Sequence, residues 1–244
     1  MSKFWGLVVA SVVVAAQPTA AAAGVTECST SYVSSSMSPT AIVVGVANVR
    51  SSTFTVKIAN TCDNPTVTAN LASVDVVVGR NVPMTMGATV DGVTTFSGTT
   101  TWDSSLLDVQ SYAGEWLSYI DLSSDNGPST DGPGVQFKVL RSAALLHKVS
   151  DQSVPQDTVV NVTGSLKRAS WDDQVLVPFG GQLVSLQFQP PGGVYSTVRT
   201  MRSMSNGSTF GMVRVEATGC YRMVSAETGT TASATSPRSC VVVS

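Results

Sequence analysis

Phe54, Val56 and Ile58 alternate with Thr53, Thr55, Lys57 and Ala59. A period of two sends one set into a core and the other into water, which predicts a half-buried strand over 53–60. Ala41–Val49 precedes it, separated by Arg50-Ser51-Ser52, a connection of hairpin length. Leu71–Val78, Val82–Met86 and Gly92–Trp102 read likewise. Across Glu115–Leu122 the set Trp116, Ser118 and Ile120 opposes Leu117, Tyr119 and Asp121. Ser123–Gly134 reads as a loop, since it holds Asn126-Gly127-Pro128 and Asp131-Gly132-Pro133. Val135–Val149 reads as one closing strand, although Ala143–Leu146 also has helical propensity.

The second half has the sharper pattern. Thr158–Trp171 predicts a long strand with a bend at Gly164. Gln182–Gln189 alternates Leu183, Ser185 and Gln187 with Val184, Leu186 and Phe188. Pro190-Pro191-Gly192-Gly193 marks a turn, Tyr195–Arg202 alternates again, and Asn206-Gly207 is a hairpin signal. Ser208–Glu216, Cys220–Ser225 and Arg238–Val243 complete the set. Short strands at regular spacing predict an all-β sandwich or small barrel. The polar stretch Ser150–Asp157, with Pro155, is the expected division: a first β-sandwich domain over 24–150, a linker over 151–157 and a second domain over 158–244. Cys28–Thr40, rich in Ser, reads as an arm ahead of the first strand.

Composition agrees. Of 244 residues only 12% are charged, against about 25% in soluble domains. Ser, Thr, Gly and Val fill the difference, and branched Val and Thr pack well on a pleated surface. The chain opens with Lys3, an apolar run over Phe4–Ala16, the breaker Pro18 and small residues over Thr19–Ala23. That order is a secretory signal peptide, expected over 1–23 with cleavage after Ala23. The run falls short of the roughly 18 residues a spanning helix needs. Glu27 before Cys28 does not fit a lipid-attachment box. The expectation is an extracellular or secreted chain with no transmembrane segment after processing.

Cys28, Cys62, Cys220 and Cys240 are an even set, which in an exported chain implies two disulfides. Of three pairings, sequential order favours Cys28–Cys62 and Cys220–Cys240. Zinc does not fit, since Cys-x-x-Cys is absent and the one histidine is remote in sequence. A formal charge of −2 with scattered basic residues excludes a phosphate-tracking patch, so nucleic acid is not an expected partner.

Gly164-Ser-Leu-Lys-Arg-Ala-Ser-Trp171, Gly181-Gln-Leu-Val-Ser-Leu-Gln-Phe188 and Tyr195-Ser-Thr-Val198 resemble the immunoglobulin-like repeats of small exported actinobacterial proteins. The resemblance covers about residues 155–244 closely and the first half loosely. It implies two consecutive immunoglobulin-like antiparallel β-sandwich domains, and its motifs are packing motifs. Some proteins of this kind are described as calcium-binding. Trp102-Asp103 and Trp171-Asp172 also form a faint internal echo.

Candidate chemistry is sparse. His147 would have to serve any Ser-His or Cys-His centre, and neither a nearby nucleophile motif nor Gly-x-Ser-x-Gly accompanies it. A hydrolase built on carboxylates would draw on Asp103, Asp108, Asp172 and Asp173. Asp121, Asp125, Asn126 and Asp131 supply hard oxygens in a turn-rich segment, the chemistry calcium needs. Counted from Asp121, however, the Gly and Glu of an EF-hand loop fall on Asn126 and Gly132. Trp102, Trp116 and Trp171 are expected in cores. Asn161 and Asn206 stand in glycosylation sequons, read as chance matches in a bacterial chain. The expected function is non-catalytic: binding, or a structural role in the envelope, with an unknown protein or an envelope glycan as partner and no cofactor.

Overall fold

The structure, a computed structural model, describes residues 28–75, 79–107, 109–125 and 127–244. The signal expected over 1–23, Asp108 and Asn126 lie outside the described residues. The first half carries β1 (Thr30–Ser38), β2 (Ala41–Val44), β3 (Arg50–Asn60), β4 (Thr66–Ser73) and β5 (Gly79–Val82). It continues with β6 (Thr85–Val90), β7 (Val93–Trp102), β8 (Gly114–Ser124), β9 (Gly127–Gly132) and β10 (Gln136–Arg141). The second carries β11 (Ala143–Val149), β12 (Ser153–Val154), β13 (Thr158–Ser170), β14 (Val175–Pro178) and β15 (Leu183–Gln189). β16 (Ser196–Arg202), β17 (Ser208–Val215), β18 (Gly219–Ser225), β19 (Ala234–Thr235) and β20 (Ser239–Val243) follow. The described helix is one 3-10 turn, Gln110–Tyr112.

In the first half, β1-β3-β7-β6 faces β2-β10-β8-β4-β5, with β9 on β8. In the second, β11-β13-β14 with β17 on β13 faces β12-β20-β18-β15-β16, with β19 on β18. Neighbours run antiparallel except β2–β10 and β12–β20, where a short early strand lies parallel to the last one. That is the strand order of an immunoglobulin-like sandwich, found in both halves. Inward positions of facing sheets make the cores. Phe54, Val56, Ile58 and Phe96 meet Leu71, Trp116 and Ile120 in the first. Val160, Val162 and Leu166 meet Val184, Leu186, Tyr221 and Met223 in the second.

The all-β expectation holds, and several local expectations are corrected. The Ser-rich arm is strand β1, paired with β3 from Thr30↔Asn60 to Ser38↔Thr53. Ser31, Ser34, Ser36 and Ser38 face water at a sheet edge while Met37 turns inward, so polarity alone does not make it an arm. The expected loop over 123–134 is largely the β8–β9 hairpin. Val82–Met86 is broken at Pro83 into the end of β5 and the start of β6, which belong to opposite sheets. Asp91 and Gly92, with φ of 50° and 76°, make the tight β6–β7 turn that the Asp-Gly pair signals. Pairing runs unbroken through Gly164 on both sides, so its role is not a bend. A Cβ there would press on Thr209 Oγ1 and Met223 Sδ, at 2.5 and 2.6 Å.

Val135–Val149 is two strands, not one. Val139, Leu140 and Arg141 are buried in succession, so the period of two is lost there. β10 pairs with β2 and β8, whereas Ala143–Val149 pairs with β13 as a strand rather than a helix. Ser142 stands between, donating its N–H to Val44 O (2.9 Å) and accepting from Ala169 N (2.8 Å). Hydrogen bonding thus changes sheet pair at Ser142, and the expected linker 151–157 contains β12.

The halves are bonded to each other around that point. Trp171, at the turn after β13, sits in the first half's core and donates its indole N–H to Val44 O (3.3 Å). Gln174 exchanges hydrogen bonds with Ser104, and Gln110 N–H donates to Asp172 Oδ1 (3.0 Å). Buried Arg141 donates to Gln110 Oε1 and to Thr230 Oγ1 (3.1 Å). Burial first, then nearby Arg168, lowers its pKa to about 10 against the opposing pull of Asp172. It therefore stays charged at neutral pH. Trp102 closes β7 and Trp171 follows β13, so the Trp-Asp echo is not one of topology.

Candidate functional site

The residues singled out by sequence fall in four places. His147 points inward from β11, half-buried, with Nδ1 2.8 Å from Ser236 Oγ. That hydroxyl also accepts from Met223 N (2.8 Å) and lies 3.0 Å from Pro237 O. Ser236 is itself 5% exposed, and His147 Nε2 is buried without a partner among the described residues. A nucleophile needs an accessible oxygen and an imidazole oriented by a third group. Here the serine is spent on backbone groups. Burial pushes the His147 pKa down, and the Pro237 carbonyl contact works weakly against it.

Among the described residues the candidate carboxylates each hold a separate local contact. Asp172 takes Gln110 N–H, Asp173 takes Ser170 O–H (2.7 Å), and Asp103 holds its own turn through Ser105 N (2.9 Å). Asp121 and Asp131 are direct cross-strand partners on β8 and β9. Asp125 instead accepts from Asn64 Nδ2 (2.8 Å). Among the described residues no group of three His, Cys, Asp or Glu side chains is placed to hold a metal ion. Trp102, Trp116 and Trp171 are buried.

Both disulfides are formed in the sequential pairing. Cys28–Cys62 ties the entry to β1 to the segment after β3. Cys220 and Cys240 are in-register partners on β18 and β20. Among the described residues no helix is long and apolar enough to cross a membrane.

A site that sequence reasoning missed lies at one end of the second sandwich. β16 and β17 are free edges of facing sheets, and Arg199 Nη1 ties them by donating to Met212 O (2.8 Å). Beside this staple opens a cavity of about 310 Å³. Phe188 and Tyr221, cross-strand neighbours with ring centroids 4.9 Å apart, line it. Val198 and Val213 add apolar wall, and Arg214 and Glu216 stand exposed at the mouth. Phe188 is held in place because Gly219 has no Cβ; one there would strike the ring. The Tyr221 hydroxyl has no hydrogen-bond partner among the described residues, and burial, then the Glu216 carboxylate, raises its pKa. Neither Arg214 nor Glu216 forms an ion pair among the described residues.

A slightly larger cavity, about 360 Å³, lies over Cys220–Cys240. It is walled by Pro190, Pro191 and Gly192 and offers Arg238 as its one charged side chain. The smaller one has the richer chemistry: a half-buried ring, a cation, an anion and an unpartnered hydroxyl. The alternation of β15 marks Phe188 as inward, which is the one signal the sequence holds for it.

No family model matches this chain, and no curated protein matches its sequence. Solved structures that align with it include the Yersinia pseudotuberculosis adhesin InvE, at 11% identity over 87% of this chain, with a TM-score of 0.29. The chain spans 58% of that protein's length. The Clostridium thermocellum CbhA fibronectin(III)-like modules align at 9% identity over 85% of this chain and 92% of theirs, with a TM-score of 0.37. Murine CEACAM1b aligns at 14% identity over 88% of this chain and 100% of its own, with a TM-score of 0.38. Scores this low do not establish a shared fold, so the architecture rests on the strand pairing itself.

Proposed function

We propose that this chain is exported and acts outside the cytoplasm by binding, without catalysis, as two immunoglobulin-like units that divide at Ser142. The observation that carries this reading is the open end of the second sandwich. It places the half-buried Phe188 ring beside the exposed, unpaired Arg214 and Glu216 at an open cavity, a composition that holds a ligand. The one histidine of the chain, His147, is committed to Ser236 away from the cavity lining. Export is supported by the signal-like start and by two disulfides, which persist in oxidising compartments. A low charge density suits an extended surface module, and the free edges at β16 and β17 leave the cavity open to the medium.

The test is capture. The mature chain is immobilised and exposed to envelope fractions and culture medium of the producing cells, with and without calcium. The expected result is a retained component that excess free chain displaces and that elutes with unchanged mass. A component that elutes cleaved would replace this reading with a hydrolase. Retention seen only with calcium would replace it with a calcium-dependent module.

A further inference from the structure

From the cavity between β15, β17 and β18 we infer a binding site for a neutral saccharide ring. The inference rests on the binding function proposed above and names its ligand class. A pyranose has an apolar C–H face and a rim of hydroxyls that both donate and accept. Phe188 meets the first requirement with a half-buried ring, backed by the buried Tyr221 ring, and Gly219 leaves Phe188 room to lie across β18. Aromatic rings carry a negative face that attracts polarised C–H groups.

The polar groups meet the second requirement. Glu216 accepts and Arg214 donates, and they lie two residues apart on the same side of the chain, unpaired with each other. The Tyr221 hydroxyl does both and has no partner among the described residues. A ligand that only accepts, such as a carboxylate, would face Glu216; one that only donates, such as an ammonium, would face Arg214. A hydroxylated neutral ring satisfies both together. The volume, about 310 Å³, sits at the lower end of ligand-enclosing cavities, so it admits one ring while the rest of a glycan stays in solvent. The open edges of β16 and β17 give such a chain a way out.

The probes are glucose, mannose, galactose and N-acetylglucosamine, with benzoate and benzylamine as charged aromatic decoys. Saturation-transfer NMR with the full mature chain reads which protons lie against the protein. At least one sugar should show transfer through its ring C–H protons. Tyr221→Phe keeps the ring and removes the hydroxyl, and Glu216→Gln removes the charge. Each should weaken that sugar about fivefold, the scale of one lost hydrogen bond. Both variants should keep the parent's unfolding midpoint, and Phe210→Ala on the outer face should bind as the parent does. Failure of all four sugars to bind, a decoy that binds more tightly than every sugar, or sugar binding untouched in both cavity variants would overturn the saccharide assignment. In those cases capture of an unaltered envelope component would leave the binding function standing. A sugar that is bound and then cleaved would instead refute the non-catalytic reading while keeping the site.

Discussion

Near one end of the first sandwich, where β7 stops and β8 starts, three large rings meet. Trp102 stands edge-on to Trp116 at 5.2 Å and to Phe137 at 5.8 Å, and Trp116 lies 6.1 Å from Phe137. Both indoles are hydrogen-bonded, to Ser52 Oγ (2.8 Å) and Tyr112 O (2.9 Å), and both are fully buried. The second sandwich has a related strand order, with β14 on β13 where the first half has β6 on β7, and closes differently. Its interior is mostly Val, Leu and Met, and its aromatic pair stands at an end beside a cavity. Rings buried on every side fill the space between the sheets, whereas the half-buried Phe188 ring leaves a lined opening. One architecture thus gives a unit whose indoles are packed away and a unit whose Phe188 ring stays half-buried beside a cavity.

The comparison can be broken most severely at Trp171. This indole is carried by the second half and buried in the core of the first. Trp171→Ala should cost about 3–5 kcal/mol, the usual range for a buried Trp truncation. The loss should fall on the first half. In the mature variant Trp102 and Trp116 are the remaining tryptophans, so fluorescence reports the first core alone. Its transition should separate from the far-ultraviolet circular dichroism transition and precede it. Coincident transitions at the parent's midpoint would show that the first core does not depend on this residue.

A smaller effect distinguishes the halves by pH. His147 belongs to the second core and has its pKa depressed by burial. Between the unfolded value, about 6.5, and the lower folded value, the unfolded chain binds the extra proton. Its contribution is therefore complete above about pH 6.5 and is lost as pH falls toward the folded value. The slope is at most about 1.4 kcal/mol per pH unit. Denaturant midpoints should fall from pH 7 to pH 5.5 in the parent and much less in His147→Asn, whose amide can still reach Ser236. An equal fall in both would assign the pH dependence elsewhere.

What could be read in advance follows the same contrast. β3, β13 and β15 are legible because one face stays inward over a run of each, Ser52 to Ile58, Val160 to Leu166 and Val184 to Leu186, so the period of two survives there. The cysteine pairs are legible because each closes a short span within one half. Val139-Leu140-Arg141 is not, since burying an arginine depends on Gln110 and Thr230, which arrive from remote parts of the chain. Trp171 reads correctly as a core residue, but no local pattern says that the core is the other half's. The cavity is hidden for a related reason. Alternation gives the direction of Phe188, whereas the opening is made by β16 and β17 lying unpaired in facing sheets.

The smallest expected effect concerns the first half's β8–β9 hairpin, where Asp121 and Asp131 lie directly opposite each other. Like charges in that position destabilise a sheet, and cross-strand pairs act on a scale of about 0.2–1 kcal/mol. Asn70 Nδ2 lies 3.5 Å from Asp121 Oδ2, at the limit of a hydrogen bond, and offsets little of the repulsion. Both carboxylates are exposed, so salt should screen the pair. Asp131→Asn should therefore raise stability by a few tenths of a kcal/mol to about 1 kcal/mol at low salt, and by less in 0.5 M sodium chloride. Millimolar calcium should leave both proteins unchanged. A cation held between the two aspartates reverses each sign: the substitution destabilises in calcium, and calcium raises the parent's midpoint. At 100 times its dissociation constant such an ion would add about 2.7 kcal/mol, well above the repulsion it relieves. Denaturant unfolding of parent and variant, with and without calcium, separates the two. A calcium-dependent gain in the parent that Asp131→Asn abolishes would make the first half the one that binds a ligand.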